Sequence, residues 1–314
     1  MTLLMTVLSP WTLAAGPAPS LHEAWFAPHA AEFARESARL APAIQALCDA
    51  APAQADAALD GARTQWRDAM LAWEGLSAVA LGPVLERRSQ RRIDFSPTRP
   101  RMIEKAIGAA PKTPADMERI GTPAKGFPAL EWLLWVKPVQ PGSPACTYAV
   151  HVAEEIRGEA QALAAARPAG TEEGVALAEL LNQWVGGLER LRWADMEMPA
   201  RVAMTGGKEA HDYPRRASGA SAMSWAARWA ALRDLAVGPH SLEAALRQAG
   251  HAPEAEALAG AVGRANAAMS GLSGRDTLRI LEAARELAAL KRLVENQVAT
   301  ALGVSLGFSD ADGD

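Results

Sequence analysis

The chain has 314 residues, 49% of them hydrophobic, with 32 basic and 36 acidic side chains and a net charge of -4. That length buries one large core or two medium ones, and 22% charged residues with a mean hydropathy of -0.05 exclude a disordered polymer. The lack of excess positive charge argues against bulk nucleic-acid binding, and an Ala- and Leu-rich chain poor in β-branched residues points to an all-α fold.

Residues 3–15, LLMTVLSPWTLAA, form the longest nearly apolar stretch. It is too short to span a bilayer of roughly 30 Å, so no transmembrane segment is expected. The stretch reads as the apolar part of a secretory signal within residues 1–20, with Ala14, Ala15 and Gly16 at a cleavage point. The first cysteine is Cys48, so no cysteine follows the stretch to accept a lipid anchor. The expectation is an exported, periplasmic and soluble protein.

Helical periodicity then takes over. A first helix over 21–50 places Phe26, Phe33, Leu40 and Leu47 at steps of seven. A second over 54–81 repeats the pattern with Leu59, Trp66, Trp73 and Ala80. An Arg- and Pro-rich connection over 82–122 follows, then helices over 123–137 and 143–166. After Gly170 come four more, over 171–198, 216–237, 253–270 and 274–302. Four and four predict two consecutive up-down bundles, domains 21–168 and 171–314. Trp73 precedes Gly82-Pro83 as Trp229 precedes Gly238-Pro239, an echo that reads as an internal duplication. In an up-down bundle the end of the first helix and the start of the fourth lie at the same end of neighbouring helices. Cys48 and Cys146 fall there and are expected to pair in a disulfide.

Four segments stand out: Gln65-Trp66-Arg67 through Gly82-Pro83, the run TPAKGFPALEWLLW over 122–135, Cys146 through Val150, and the ending ALGVSLGFSDADGD over 301–314. Together they resemble the imelysin-like proteins, named after an insulin-cleaving membrane protease of bacteria. The similarity runs over about 25–314. It implies a two-domain all-α fold, an envelope or exported location and a link to bacterial iron uptake. The family signature Gly-x-His-x-x-Glu falls on Gly126, Phe127, Pro128, Ala129, Leu130 and Glu131, with Pro128 in place of the histidine. A His and a Glu at that spacing share a helical face and can share a metal, whereas proline offers no donor.

Four histidines have a glutamate three residues on: His29 with Glu32, His151 with Glu154, His240 with Glu243 and His251 with Glu254. None has the Gly-x context, and such pairs are ordinary on helix surfaces. By bundle level and helical direction, His29 and Glu131 share a layer and lean toward the interior, with Glu74 at the same level but nearer the edge of its apolar stripe; the three are the candidate metal set. The cofactor reading is a weakly held iron or zinc ion, or none. No His-Glu-x-x-His, Cys-x-x-Cys, phosphate loop or Gly-x-Ser-x-Gly elbow is present, and no catalytic residue is assigned. The connection carries Arg87, Arg88, Arg91, Arg92, Arg99 and Arg101; of these Arg87, Arg91, Arg92 and Arg99 are the candidate anion-binding set, against a reading as solvated charge. Together these features predict a non-enzymatic binding or accessory component of iron acquisition, with iron or an iron-related ligand and envelope proteins as partners. The alternatives are a metal-dependent peptidase with a rearranged site, and a module binding a peptide or envelope protein between the bundles.

Overall fold

The computed structural model describes residues 21–166, 173–205 and 213–307. The expected signal segment 1–20, the expected domain boundary near 169 and the terminal residues 308–314 lie outside the described residues. Every regular element described is helical.

Helix α1 spans Leu21–Cys48 and α2 spans Ala55–Ser77. On α1 the step-of-seven residues Phe26, Phe33, Leu40 and Leu47 are all buried, and so are Ala30, Ser37 and Ile44 between them. Pro28 and Pro42 face solvent, so the apolar stripe passes both uninterrupted. Where the sequence suggests a connection, the chain makes four short helices: α3 (Pro83–Glu86), α4 (Ser89–Ile93), α5 (Pro100–Gly108) and α6 (Pro114–Glu118). Three of them begin with proline, whose missing N–H is harmless in a first turn. Helix α7 (Gly126–Glu131) carries the motif and runs into a π-helical turn over Trp132–Val136. Helix α8 (Pro144–Ala165) starts on Ser143, whose hydroxyl accepts from the Cys146 amide at 3.2 Å.

The second half comprises α9 (Glu173–Glu189), a π-helical segment over Arg190–Glu197, α10 (Met198–Thr205), α11 (Ser221–Ala236), α12 (Leu242–Gln248), α13 (Ala252–Met269), α14 (Thr277–Leu293), a π-helical turn over Val294–Val298 and the short α15 (Ala299–Ala301).

Helix α1 packs along α2 and α8 as the centre of the N-terminal group, while α13 packs on α14 in the C-terminal group. The two groups meet where α2 lies on α11. Trp25 Nε1 donates to the Ala231 carbonyl at 3.3 Å, and the Gly82 amide donates to Glu179 Oε1 at 2.9 Å. At Gly187 a Cβ would stand 1.8 Å from the Ala78 carbonyl oxygen, so glycine is what lets α9 come this close to the end of α2.

Cys48 and Cys146 form the expected disulfide, with Cα atoms 5.5 Å apart. It closes a separation of 98 residues, which on the chain-entropy model stabilises by about 4–5 kcal/mol.

Candidate functional site

Between the two helix groups lies a set of seven ionisable side chains, six of them buried and Arg190 partly so. Helix α2 turns Trp73 and Glu74 inward, and both are buried. The residue after α4 is Asp94, also buried; one of its oxygens, Oδ2, accepts from Trp73 Nε1 and from Gln90 Nε2, each at 3.0 Å. From the turn ahead of α11, Arg215 reaches back over more than a hundred residues of chain. Its Nη2 donates to Asp94 Oδ1 at 2.7 Å and to Glu74 Oε1 at 3.0 Å, and its Nε donates to Glu74 Oε1 at 3.1 Å. The guanidinium also lies 5.9 Å from the centre of the Phe127 ring.

Arg228 of α11, 1% exposed, donates Nη2 to Glu74 Oε2, and its Nε stands 3.5 Å from Asp195 Oδ2. Asp195 and Arg190 both belong to the π-helical segment. Five residues apart, they would diverge by roughly 140° on an α-helix; the wider turn brings both toward the same cluster. Glu131, the motif glutamate, accepts on Oε1 from the Ser218 amide at 2.9 Å and from the Ser218 hydroxyl at 2.7 Å.

The electrostatics follow from this packing. Burial acts to raise the Glu74 carboxyl, but Arg228 and Arg215 override it and hold Glu74 at about 2. Burial pushes Asp195 up, with the Glu74 charge adding to it against Arg228 and Arg190. Arg190 is lowered by burial and by the like charge of Arg228. Both Arg215 and Arg228 are raised: burial opposes their charge, but their carboxylate partners prevail.

A pH dependence follows for Glu74. Its folded value lies below its ordinary 4.5, so its contribution is complete above that value and is lost as pH falls from about 5 toward 2. Asp195 works in the opposite sense, because protonation relieves its burial. Urea midpoints measured between pH 7 and the acid limit are expected to fall through that window, with a shallower fall in Glu74→Gln. An equal slope in both proteins would refute the assignment.

The motif glycine has two structural reasons. Gly126 has φ +74°, and a Cβ there would meet the Ile93 carbonyl oxygen at 2.1 Å. Pro128 is buried in the first turn of α7, where no intrahelical acceptor awaits its missing N–H. Of the candidate metal set, Glu74 and Glu131 join this cluster while His29 is engaged elsewhere. The His29 ring stacks on Trp25, and its Nδ1 lies 2.8 Å from the Trp25 carbonyl oxygen. Helix α1 turns its His29 edge toward a groove instead of toward the motif. Among the described residues, no three His, Cys, Asp or Glu side chains are placed to hold a metal ion. The cluster also does not suit a cation: three guanidiniums already stand among four carboxylates, and the buried Nη1 of Arg228 has no acceptor.

The anion-binding candidates divide. Arg87 donates Nε and Nη2 to the two oxygens of Glu159 at 2.9 and 2.8 Å, and Arg92 Nε stands 3.5 Å from the same carboxylate. Arg91 and Arg99 are exposed.

Against known proteins, the sequence profile described as Imelysin, peptidase family M75, matches residues 26–303. The chain belongs to the imelysin family. Two crystal structures share the imelysin fold seen here. One is an imelysin-like protein from Psychrobacter arcticum 273-4, 20% identical, with a TM-score of 0.76 over 91% of this chain and 95% of the other. The second is described as a putative iron-regulated protein A precursor from Parabacteroides distasonis ATCC 8503; it is 14% identical, with a TM-score of 0.69 over 92% of this chain and 97% of the other. No curated protein matches this imelysin.

Reading the sequence misses Asp94, Arg190, Asp195, Arg215, Ser218 and Arg228. One signal was present for Arg228: it stands three residues after Trp225 and four before Leu232, on the apolar stripe of α11. For Arg215, in a turn, no periodicity marks it.

Proposed function

We propose that this imelysin is an exported, non-enzymatic binding or accessory component of iron acquisition. The observation that carries the reading is the internal pairing at the motif. Glu131 is held by Ser218, and Glu74 and Asp94 are neutralised by Arg215 and Arg228. A metallopeptidase needs about three protein ligands with an open position, plus a free general base. Proline at 128 supplies no ligand, and the carboxylates that stand nearest are already committed. The iron link rests on the family and on the relative named as iron-regulated. Support for export, to the periplasm, comes from the apolar stretch over 3–15 and from the disulfide, a bond suited to oxidising compartments. The domain reading, 21–168 and 171–314 as duplicated bundles, is supported by the separate packing of α1, α2 and α8 and of α13 and α14.

A peptide-cleavage assay with added zinc or ferrous ion, on the untagged chain, tests the non-enzymatic part, with no turnover expected. Metal-dependent cleavage that vanishes in Glu131→Gln overturns it. Calorimetry with ferrous ion and ferric citrate tests the iron part; binding that persists in Glu131→Gln is expected, and binding of neither titrant overturns it.

One observation favours the interaction-module reading as the second. A groove of about 570 Å³ runs between α1, α2 and α11, with Leu71, Ala72, Gly75 and Ala230 among its lining and Glu32, Asp68 and Asp234 beside them. An apolar floor with charged edges suits a partner peptide.

A further inference from the structure

Charge is unevenly placed along this chain. Residues 86–125 hold ten basic and five acidic side chains, a net +5 in a chain of net -4, which leaves -9 for the remainder. The structure sorts these cations into two sets.

The inner set ties the segment to α8. Arg87 is bonded to Glu159, and Ser89 Oγ donates to the same carboxylate at 2.6 Å. Lys125 Nζ donates to Glu155 Oε1 at 2.8 Å and to the Met117 carbonyl at 2.9 Å. The outer set is Arg88, Arg91, Arg99 and Arg101, all exposed, with the mostly exposed Arg92 and Lys105 beside them. Among the described residues, none of those four arginines has a carboxylate within ion-pair distance. They fall within 14 residues of chain, on α4, its first residue's neighbour and the start of α5. Both helices rest on α8 and on the turn over Thr122–Ala124, so their outer residues share one wall of the molecule. Helix α5 buries Ile103 and Ala106 and leaves Met102 43% exposed next to Arg101.

Charge that serves only solubility mixes its signs, as the outer face of α1 does: Arg35 and Arg39 stand there beside Glu32 and Glu36. The outer arginines have no such partners and repel one another, a field that an external anion relieves. Guanidinium forks match phosphate oxygens and are weakly hydrated. Spread along a wall instead of converging on one point, these groups fit an array of phosphates better than a single one. We propose that this wall docks on an anionic phospholipid surface, with Arg88, Arg91, Arg99 and Arg101 among the phosphates and Met102 at headgroup level. The proposal is independent of the iron reading.

Co-sedimentation of the full chain with vesicles tests it. At low ionic strength the protein is expected to bind phosphatidylcholine vesicles containing phosphatidylglycerol, not phosphatidylcholine alone, and to be released by salt. Each basic side chain contributes about fivefold, so the triple variant Arg91→Gln, Arg99→Gln, Arg101→Gln is expected to lose partition roughly a hundredfold. Its melting temperature should not change, because all three side chains are exposed. A matched triple in the other half, Arg233→Gln, Arg247→Gln, Arg285→Gln, should keep binding. Equal partition to both vesicles, partition to neither, or equal losses in the two triples overturns the proposal. Binding to polyglutamate without binding to vesicles also overturns it and assigns the wall to an acidic protein.

Discussion

Replacing Arg215 by alanine is expected to destabilise the protein by about 3–5 kcal/mol, the range for removing one partner of a buried ion pair. Arg215 is 5% exposed and holds two buried carboxylates at once, Glu74 and Asp94. Without it Glu74 retains Arg228, while Asp94 keeps only the Trp73 and Gln90 donors. Lysine is a poor substitute, because a single ammonium cannot present the fork that reaches both acids. The loss also acts between helix groups: Arg215 precedes α11, whereas Glu74 and Asp94 belong to the N-terminal half. Urea unfolding of wild type, Arg215→Ala and the triple Glu74→Gln, Asp94→Asn, Arg215→Met measures this. The triple should recover much of the stability, since it removes the uncompensated charges along with the arginine. A loss under about 1 kcal/mol in Arg215→Ala would place the residue among ordinary surface substitutions and sink the argument.

Gly126→Ala is the second large effect. An L-residue in the left-handed region costs about 1–2 kcal/mol, and Gly126 sits there at φ +74°. The new Cβ would also overlap the Ile93 carbonyl at 2.1 Å from its oxygen and 2.4 Å from its carbon. Those are backbone atoms, so relief requires α7 and α4 to separate. Such overpacking costs about 1–3 kcal/mol more, giving about 2–5 kcal/mol in all. Asp94 follows Ile93 directly, so the same displacement pulls Asp94 from Arg215. The two substitutions should therefore combine to less than the sum of their separate effects. Strict additivity in a double-mutant cycle would show that the motif glycine and the buried cluster are unconnected.

The sequence by itself determined the helical fold and much of its punctuation. Apolar side chains at steps of three and four can be buried together only on a helix, so Phe26, Phe33, Leu40 and Leu47 specify α1 without reference to anything distant. The disulfide between Cys48 and Cys146 was likewise legible, because the order and length of the first helices suggest which helix ends are neighbours. The family could be read from the motif segments, and the profile over residues 26–303 establishes it.

Tertiary structure alone decided the buried site. Level and direction along ideal helices suggested that His29 and Glu131 lean into one interior with Glu74 at its edge, but these describe a bundle taken by itself. The second half supplies Arg215, Ser218 and Arg228, and those partners engage both glutamates while His29 stacks on Trp25. Partner choice here spans separations of 87 to 154 residues, and no local periodicity encodes a contact of that range. The arginine-rich connection shows the same division. Composition revealed the charge, whereas only the position of Glu159 on α8 decided that Arg87 turns inward and Arg91 and Arg99 outward. A buried carboxylate must be paired, and whichever guanidinium the fold brings within reach is the one it takes.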